Sequence, residues 1–265
     1  RDITVRKKAE EEIKNANRVY AVLGNINKAI VKVKDRQSLF NETCRVSVED
    51  GNFKMSWIAI ADQQTNKIIS QASAGFTEDY INNVHIDLND EKGRQSPIGQ
   101  VITTGVHYLA NDIANNPDMN LWRENALRLG YKSSAAFPIK VSDKTIGAYL
   151  LYSDEAFFFD EKEVELLDSL AMDISFAIEF IETETKRNLI EKQRSELSDR
   201  FTKIAKQIPV VIYQYCLRPD GSSYFPYSSE GIFKIYGVTP EEVIENADPV
   251  FKVLHPDDLE RVGKK

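Results

Sequence analysis

Residues 134–152, which read SAAFPIKVSDKTIGAYLLY, carry the clearest structural pattern in this chain. Ser142-Asp143 is a pair of turn-forming residues between two runs rich in β-branched and aromatic side chains. The stretch therefore predicts a β-hairpin with strands over 134–141 and 144–152.

The elements upstream of this hairpin indicate an antiparallel α+β domain. Another hairpin is predicted from strands over 54–61 and 67–74. Between the two hairpins, Ser96 is suited to cap the start of a helix over 97–104 and Gly105 to end it. The remaining predicted elements are helices over 7–30, 36–50 and 121–129 and a strand over 106–113. Hairpins separated by helices are typical of α+β folds.

A long helical run follows, from Asp160 to about Ile208. Apolar residues recur every three or four positions at both of its ends, whereas 182–196 is mostly polar and shifts the phase of the pattern. About 47 residues at about 1.5 Å each make a helix of about 70 Å, longer than one domain can cover. We therefore expect a dimeric coiled coil with a break in its register. Two shorter helices with a bend near Thr185 are the alternative.

A second, short domain is predicted after Pro209. Strands over 210–216 and 224–227 flank a Pro-Asp-Gly turn, and short helices follow over 231–236 and 240–246. About 57 residues are few for a domain of this kind, so we expect its last strands to be missing.

The composition excludes several classes of protein. The 265 residues include 34 Lys and Arg against 41 Asp and Glu, a net charge of −7, whereas nucleic-acid binding calls for concentrated positive charge. No apolar run approaches the roughly 18–20 residues of a membrane span, and the polar start does not read as a signal peptide. Cys44 and Cys216 are far apart in sequence and favour a reducing cytoplasm over a disulfide framework. We therefore expect a cytoplasmic protein with neither nucleic-acid partners nor a membrane segment.

Motifs of catalysis and metal binding are missing from the sequence. It contains no glycine loop that would cradle a phosphate and no Gly-x-Ser-x-Gly nucleophile elbow. The three histidines, His85, His107 and His255, have no second His or Cys at metal-ligand spacing. The sequence therefore predicts a non-catalytic region without a metal site.

Several motifs, in order along the chain, resemble the GAF domain of bacterial signalling proteins. They are Trp57-Ile58-Ala59-Ile60, Pro97-Ile98-Gly99-Gln100-Val101, Asn111-Asp112-Ile113, Ser133–Ile139 and Ile146–Leu150. Residues 159–181 resemble the C-terminal helix of such a domain. The resemblance implies an antiparallel sheet of about six strands, with helices on one face and a ligand pocket on the other.

The flanking segments resemble parts of PAS domains. Gly231–Gly237 together with His255-Pro256-Asp257-Asp258 resembles the N-terminal half of one. Arg1–Glu10 resembles the exit of another, whose last strand runs into a linker helix. The implied order is a PAS end with a linker helix (1–19), a GAF domain (20–181), a signalling coiled-coil helix (182–208) and a partial PAS domain (209–265).

This resemblance implies the sensory and dimerisation region of a multi-sensor signalling protein. We expect a homodimer through the helices, a small molecule sensed in the GAF pocket, and a helix that passes the signal to an output domain. A histidine kinase is the implied output. The alternatives are a diguanylate cyclase or phosphodiesterase output, or a structural dimerisation spacer that binds no ligand. The polar stretch 182–196 is the expected two-state element.

The implied pocket lies between the sheet and segment 80–131, where aromatic walls with a few polar groups suit a small organic ligand. The candidate ligand-binding residues are Tyr80, Asp112, Trp122, Arg123, Tyr131, Phe137 and Tyr149. Cyclic nucleotides are not expected, because the Asn-Lys pattern that binds them in such domains is missing near 152–157. Bilin is not expected because 111–135 contains neither Cys nor His, and a haem would have only His85 and His107 as axial ligands.

A simpler interpretation of these candidates stays open. Trp122 and Phe137 would then be ordinary core residues, and the pocket would be empty. Arg123 would pair with a neighbour such as Glu124 or Asp118.

Overall fold

The computed structural model describes residues 2–75, 81, 84–207, 210–255 and 258; for 2–16 and 205–207 it describes the backbone alone. Tyr80, Ile208 and Pro256-Asp257, which the sequence predictions use, lie outside the described residues. The chain divides into two compact units, Arg1–Thr185 and Lys186–Lys265, each with its own hydrophobic core.

An antiparallel sheet of five strands forms the centre of the first unit. Its strands are β1 (Met55–Ala61), β2 (Ile68–Gly75), β3 (Tyr108–Ala110), β4 (Ser133–Val141) and β5 (Lys144–Ser153), in the order β2-β1-β5-β4-β3. The α+β fold class is thereby confirmed.

The hairpin of β4 and β5 forms where the sequence predicts it. Ser142 and Asp143 have φ angles of 49° and 61°, the left-handed conformation that a two-residue turn needs to match the twist of its strands. Phe137 lies opposite Tyr149 in the register, and the neighbouring pair is Ala136 and Leu150. Because successive side chains of a strand point to opposite faces, these two pairs belong to different sides of the sheet.

Three helices cover one face of the sheet, which we call the helix side. They are α1 (Asp2–Lys32), α2 (Arg36–Glu49) and α6 (Glu161–Gln207). Residues 2–10 are helical, so they contain no strand leaving a preceding domain. The long helix is a single element of 47 residues, and the alternative of two shorter helices is therefore wrong.

Helices α1 and α6 run side by side in the same direction. The Arg18 guanidinium donates to the Glu163 carboxylate, and the Asn27 amide donates to Asp173 at 3.2 Å. Just past the end of α1, Arg36 donates to Glu182 at 3.1 Å. Partners on both segments rise together along the chain, which is possible only for parallel helices.

Short helices and loops cover the other face, which we call the pocket side. They include α3 (Glu91–Gln95), α4 (Pro97–Thr104), a 3₁₀ turn (Pro117–Met119) and α5 (Arg123–Arg128). Ser96 caps α4 by accepting a hydrogen bond from the Gly99 amide at 3.0 Å, and Gly105 ends it with φ 68°, as predicted.

Two predictions on this side need correction. The strand predicted over 106–113 covers only β3, because Asn111 leaves the ladder to bond the loop before α6. The helix predicted over 121–129 is only α5, because Trp122 is its N-cap residue, with φ −112°, and Leu129 is its C-cap residue.

The second unit contains residues 186–207 of α6, a two-stranded antiparallel sheet and three short helices in its described part. These are β6 (Tyr213–Leu217), β7 (Ser223–Ser228), α7 (Gly231–Tyr236), α8 (Pro240–Val243) and α9 (Asp248–Phe251). Phe225, Ile232 and Val243 are buried in its core. Phe201 of α6 contacts Tyr227 of β7, with ring centroids 6.1 Å apart.

Candidate functional site

The candidate ligand-binding residues lie on both faces of the sheet and do not form one pocket. Trp122 and Tyr131 belong to the core of the pocket side, whereas Phe137 and Tyr149 are buried in the core of the helix side. Grouping Phe137 and Tyr149 with the pocket was wrong. Strand alternation is the physical reason, since both residues occupy positions of β4 and β5 that point towards α2 and α6.

Tyr149 has a structural partner beneath α2. Its hydroxyl lies 2.6 Å from the Ser47 hydroxyl, and both groups are fully buried. Ser47 also donates to the Thr43 carbonyl within the helix at 2.6 Å. Burial raises the pKa of Tyr149, so its hydroxyl stays protonated and ties α2 to β5.

A small apolar cavity lies on the pocket side, at the position where the ligand is expected. It has a volume of about 20 Å³ and is lined by Trp57, Val84, Ile86, Pro97, Ile98, Met119, Trp122, Leu150 and Tyr152. Space of this size holds about one water molecule. Trp122 and Tyr152 are among the side chains that line it, so an organic ligand would fit only if a lining side chain such as Trp122 moved.

Tyr131 packs next to this cavity. Its ring centroid lies 5.1 Å from that of Tyr152, and its hydroxyl donates to the Met55 sulfur at 3.5 Å. Tyr131 is fully buried, so it supports the wall of the cavity from behind rather than lining it.

Arg123 and Asp112 hold the loop that precedes α5. Arg123 donates to the carbonyls of Ile113, at 3.3 Å, and Asn116, at 2.6 Å, and not to the carboxylates of Glu124 or Asp118. Asp112 accepts from the Asn115 amide at 2.6 Å. Both side chains thus bond to their own loop, and the arrangement fixes the backbone that carries Trp122.

Asn111 connects the pocket side to the start of α6. Its side-chain amide donates to the Phe159 carbonyl at 2.8 Å, and its side-chain oxygen accepts from the Phe159 amide at 3.1 Å. The Asn111 carbonyl also accepts from the Phe157 amide at 2.7 Å. Phe157 has φ 58°, a strained conformation for a bulky residue. We call these contacts the Asn111 clamp.

His107 makes a second connection to α6. Its Nδ1 lies 2.7 Å from the Asp168 carboxylate, and its ring centroid lies 6.0 Å from that of Phe137. From the sequence, His107 is a possible haem ligand or an ordinary partly buried histidine, and nothing distinguishes the Asn111 side chain. Asp168 and Phe159, their respective partners, are about 50 to 60 positions away in sequence, so no local sequence pattern predicts either contact.

Cys44 has the surroundings of a core residue. It is fully buried on the helix side, and burial raises the pKa of its thiol to about 12. A thiol that stays protonated is a poor nucleophile. Among the described residues, no group of three or more His, Cys, Asp or Glu could hold a metal ion, and no helix is long and apolar enough to cross a membrane.

A sensor protein of Methanosarcina acetivorans, the methyl sulfide methyltransferase-associated sensor, is similar to this chain in sequence. The two are 25% identical over 250 residues, which is 92% of this chain and 22% of that protein. This chain therefore spans less than a quarter of the length of its relative.

Solved structures of two other kinds of protein share the fold. The free methionine-R-sulfoxide reductase of Neisseria meningitidis, in complex with its substrate, has a TM-score of 0.55 at 18% identity, over 64% of this chain and 93% of the other. The GAF domain of a phosphoenolpyruvate-protein phosphotransferase from Coxiella burnetii has a TM-score of 0.53 at 15% identity, over 65% and 99%.

A family model supplies the assignment. It describes the GAF domain and matches residues 33–179, the stretch that contains the five-stranded sheet, α2, the short helices of the pocket side and the first part of α6. The sheet order and the covering of both faces agree with this match. The chain belongs to the GAF domain family.

Proposed function

We propose that this chain is the sensory and dimerisation region of a signalling protein, in which the GAF domain senses a small molecule and α6 carries the response. The relative from Methanosarcina acetivorans is named a sensor, and its similarity covers both units of this chain. Membership of the GAF family agrees with such a role.

The observation that carries the proposal is the pair of connections to α6 made by His107 and Asn111, the two residues that flank β3. The Asn111 clamp holds the loop before α6. The segment that directly follows Asn111 accepts a hydrogen bond from Arg123, the neighbour of Trp122 in sequence. The His107–Asp168 contact holds α6 two turns further along. A ligand that displaced Trp122 would therefore disturb the backbone that fixes the base of α6.

The apolar pattern of α6 supports a helical dimer. Positions repeat at intervals of seven, as in a coiled coil. One row is Phe176, Thr183, Ile190, Leu197 and Ile204, and the other is Phe180, Arg187, Arg194 and Phe201. The apolar members of both rows are between 48% and 72% exposed. A partner helix would cover them, and Arg187 and Arg194 would weaken the seam within the polar stretch 182–196, which makes that stretch the two-state element.

The second unit and the output domain complete the proposal. We propose that 209–265 corresponds to the first half of a PAS domain and that the output is a histidine kinase, with a diguanylate cyclase or phosphodiesterase as the alternative. The motif resemblances of 231–237 and 255–258 support the PAS assignment.

A structural dimerisation spacer without ligand is the second candidate. The cavity of about 20 Å³ favours it, because a closed, packed pocket side has no room for an organic molecule. The two candidates agree on the dimer and differ on ligand binding.

Thermal unfolding with a metabolite panel separates the two candidates. A ligand that binds only the folded state raises the melting temperature. We expect at least one compound to do so for the wild type and to lose its effect in Trp122→Ala, while Tyr149→Phe, on the opposite face, keeps it. The same compound should change disulfide crosslinking between copies of an Ile190→Cys variant. A panel without any shift, or a shift equally lost in both variants, would contradict ligand sensing on the pocket side.

A further inference from the structure

A cleft of about 670 Å³ lies on the helix side of the first unit, lined by residues at the start of α2, at the ends of both hairpins and by Glu182 of α6. We call it the exit cleft, because α6 leaves the sheet here. The Ser142 hydroxyl, in the turn between β4 and β5, donates to Glu179 of α6 at 3.3 Å. The volume of the exit cleft is within the range of small-molecule sites, so it offers space that the opposite face of the sheet lacks.

The floor of the exit cleft is aliphatic and consists of Ile60, Ile69, Val141 and Ile146. Three of these residues pack against the helix-side core. The fourth, Ile69, lies opposite Ile60 in the register of β1 and β2 and is 46% exposed. Covering such aliphatic surface with an apolar group is favourable, because it removes the surface from water. The floor therefore favours an occupant with an apolar side chain.

One ion pair lines the same cleft. The Arg36 Nη1 donates to the Glu182 carboxylate at 3.1 Å, and both side chains are about one-third exposed. Because water screens a pair of this kind, it is held weakly and its members are open to exchange. The Phe40 ring, whose centroid is 5.1 Å from the guanidinium carbon, supports Arg36. The Arg36 Nε is buried and has no hydrogen-bond partner among the described residues, so Arg36 has hydrogen-bonding capacity to spare.

The charges of the lining indicate the class of ligand. Among the described residues, the lining contains one cation, Arg36, and two carboxylates, Asp62 and Glu182. Asp62 accepts from the Thr65 hydroxyl at 2.7 Å within its own turn. An anion alone would meet two carboxylates, and a cation alone would meet Arg36, whereas a zwitterion offers a carboxylate to Arg36 and an ammonium to Glu182. Because Arg36 and Glu182 lie side by side, the two charges of the ligand must be adjacent, as they are on the α-carbon of an amino acid.

We propose that the exit cleft binds a free α-amino acid with an apolar side chain. Its carboxylate bonds to Arg36, its ammonium bonds to Glu182, and its side chain covers the aliphatic floor. The ligand thereby separates Arg36 from Glu182 and changes the contact between the start of α2 and α6, directly before the polar stretch. This site goes beyond the proposed function, which assigns sensing to the opposite face of the sheet, and it requires neither Trp122 nor a dimer.

Compounds matched in carbon chain test the charge requirement. L-Leucine carries both charges, 4-methylpentanoate lacks the ammonium group, and 3-methylbutylamine lacks the carboxylate. Added to the full chain, leucine should raise the melting temperature of the first unit by a few degrees, and neither analogue should do so at the same concentration. L-Valine and L-phenylalanine are further probes. Equal shifts from leucine and one of its analogues, or no shift with any of the three amino acids, would overturn the proposal.

Variants of the lining test the place of binding by titration calorimetry. Arg36→Gln and Glu182→Gln should each raise the dissociation constant of leucine at least about tenfold, since each removes a charge-assisted hydrogen bond. Ile69→Gln should raise it about threefold by making the floor polar. Arg45→Gln is the matched control, because Arg45 pairs with Glu42 and Glu49 on the exposed surface of the same helix. Circular dichroism shows whether each variant is folded. If Arg36→Gln and Ile69→Gln bound leucine as tightly as Arg45→Gln, the site would be wrong.

Trp122→Ala separates this inference from the proposed function. Leucine in the exit cleft should raise the melting temperature of Trp122→Ala as it does that of the wild type. An effect of leucine that is lost in Trp122→Ala and kept in Arg36→Gln overturns the exit cleft and supports sensing on the pocket side. Binding of leucine that depends on Arg36, in a chain for which no compound depends on Trp122, supports the exit cleft and contradicts the pocket-side proposal.

Discussion

At the scale of single residues, similar side chains have different structural roles on the two faces of the sheet. Tyr149 and Tyr131 are both buried aromatic residues near the central strands. Tyr149 bonds to Ser47 on the helix side, whereas Tyr131 backs the small cavity on the pocket side. Substitution of either residue thus reports on one face only.

Replacing Tyr149 by phenylalanine should lower stability without affecting the pocket side. The change removes the hydroxyl that bonds to Ser47, and Ser47 keeps its bond to the Thr43 carbonyl. We expect a loss of about 1–2 kcal/mol in the free energy of unfolding, measured by urea denaturation. Tyr20→Phe, on an exposed site, is the control. An unchanged midpoint for Tyr149→Phe would show that the buried hydroxyl pair contributes nothing.

The positions of the strands could be predicted from the sequence, but the face of the sheet on which each candidate residue lies could not. The motifs at 57–60 and 146–150 place the strands correctly, and the resemblance indicates a pocket beside them. The side of Phe137 and Tyr149 depends on which residues of β4 and β5 face α2, and no periodic signal distinguishes the faces when both are buried. The Asn111 clamp joins segments far apart in sequence and is therefore visible only in three dimensions.

Glu163 gives a prediction about pH. Burial raises the pKa of its carboxyl, although Arg18 opposes this. Between the ordinary pKa of a glutamate and the raised value, the folded state holds a proton that the unfolded state has released, so stability falls as pH rises through this window. Glu163→Gln cannot titrate. Its free energy of unfolding relative to the wild type should therefore increase from pH 4 to pH 8 in urea titrations.

A neighbouring carboxylate provides the control for this experiment. Glu165→Gln, on the exposed side of the same helix, removes one negative charge without changing a buried pair. If the difference between Glu163→Gln and the wild type instead decreased with rising pH, the attraction of Arg18 would outweigh the cost of burial.

At the scale of elements, helix ends and strand irregularities determine how the pieces fit together. The register of β4 and β5 shifts between Ile139 and Lys140. The Lys140 amide at this bulge donates to the Ser175 hydroxyl of α6 at 2.9 Å. The bulge between β4 and β5 thus leaves a backbone N–H group that bonds to α6 and fixes the position of this helix on the sheet.

The start of α4 offers a test of helix capping. Ser96 is buried, accepts from the Gly99 amide at 3.0 Å and donates to the Gly93 carbonyl at 2.6 Å. Ser96→Ala leaves both backbone groups without these partners and should lower the free energy of unfolding by about 1–2 kcal/mol. Thr104→Ala, at the exposed end of the same helix, should change it by less than about 0.5 kcal/mol. Equal effects in chemical denaturation would contradict a specific role for the cap.

At the scale of the whole molecule, the described residues form three hydrophobic clusters, which are divided unequally between the two units. The first unit has hydrophobic clusters on both faces of its sheet. The second has one small cluster next to a two-stranded sheet, and such a sheet is marginally stable by itself. The two units should therefore differ in stability.

Calorimetry should show two unfolding transitions for this chain. Val243→Ala, in the core of the second unit, should lower the first transition alone, and Leu167→Ala, in the core of the first unit, should lower the second alone. A single transition that both variants shift equally would show that the units unfold together.

The parallel course of α1 and α6 has a consequence for how such a domain is used. The chain enters the domain along α1 and leaves it along α6, and because these two helices are parallel, the direction of the chain is the same before and after the sheet. Several domains of this kind can follow one another along a chain, with the last helix of one leading into the first helix of the next. In the proposed function, rotation or sliding of α1 would reach α6 without a change of direction, and further domains of this kind could be added in series without redesigning the joints.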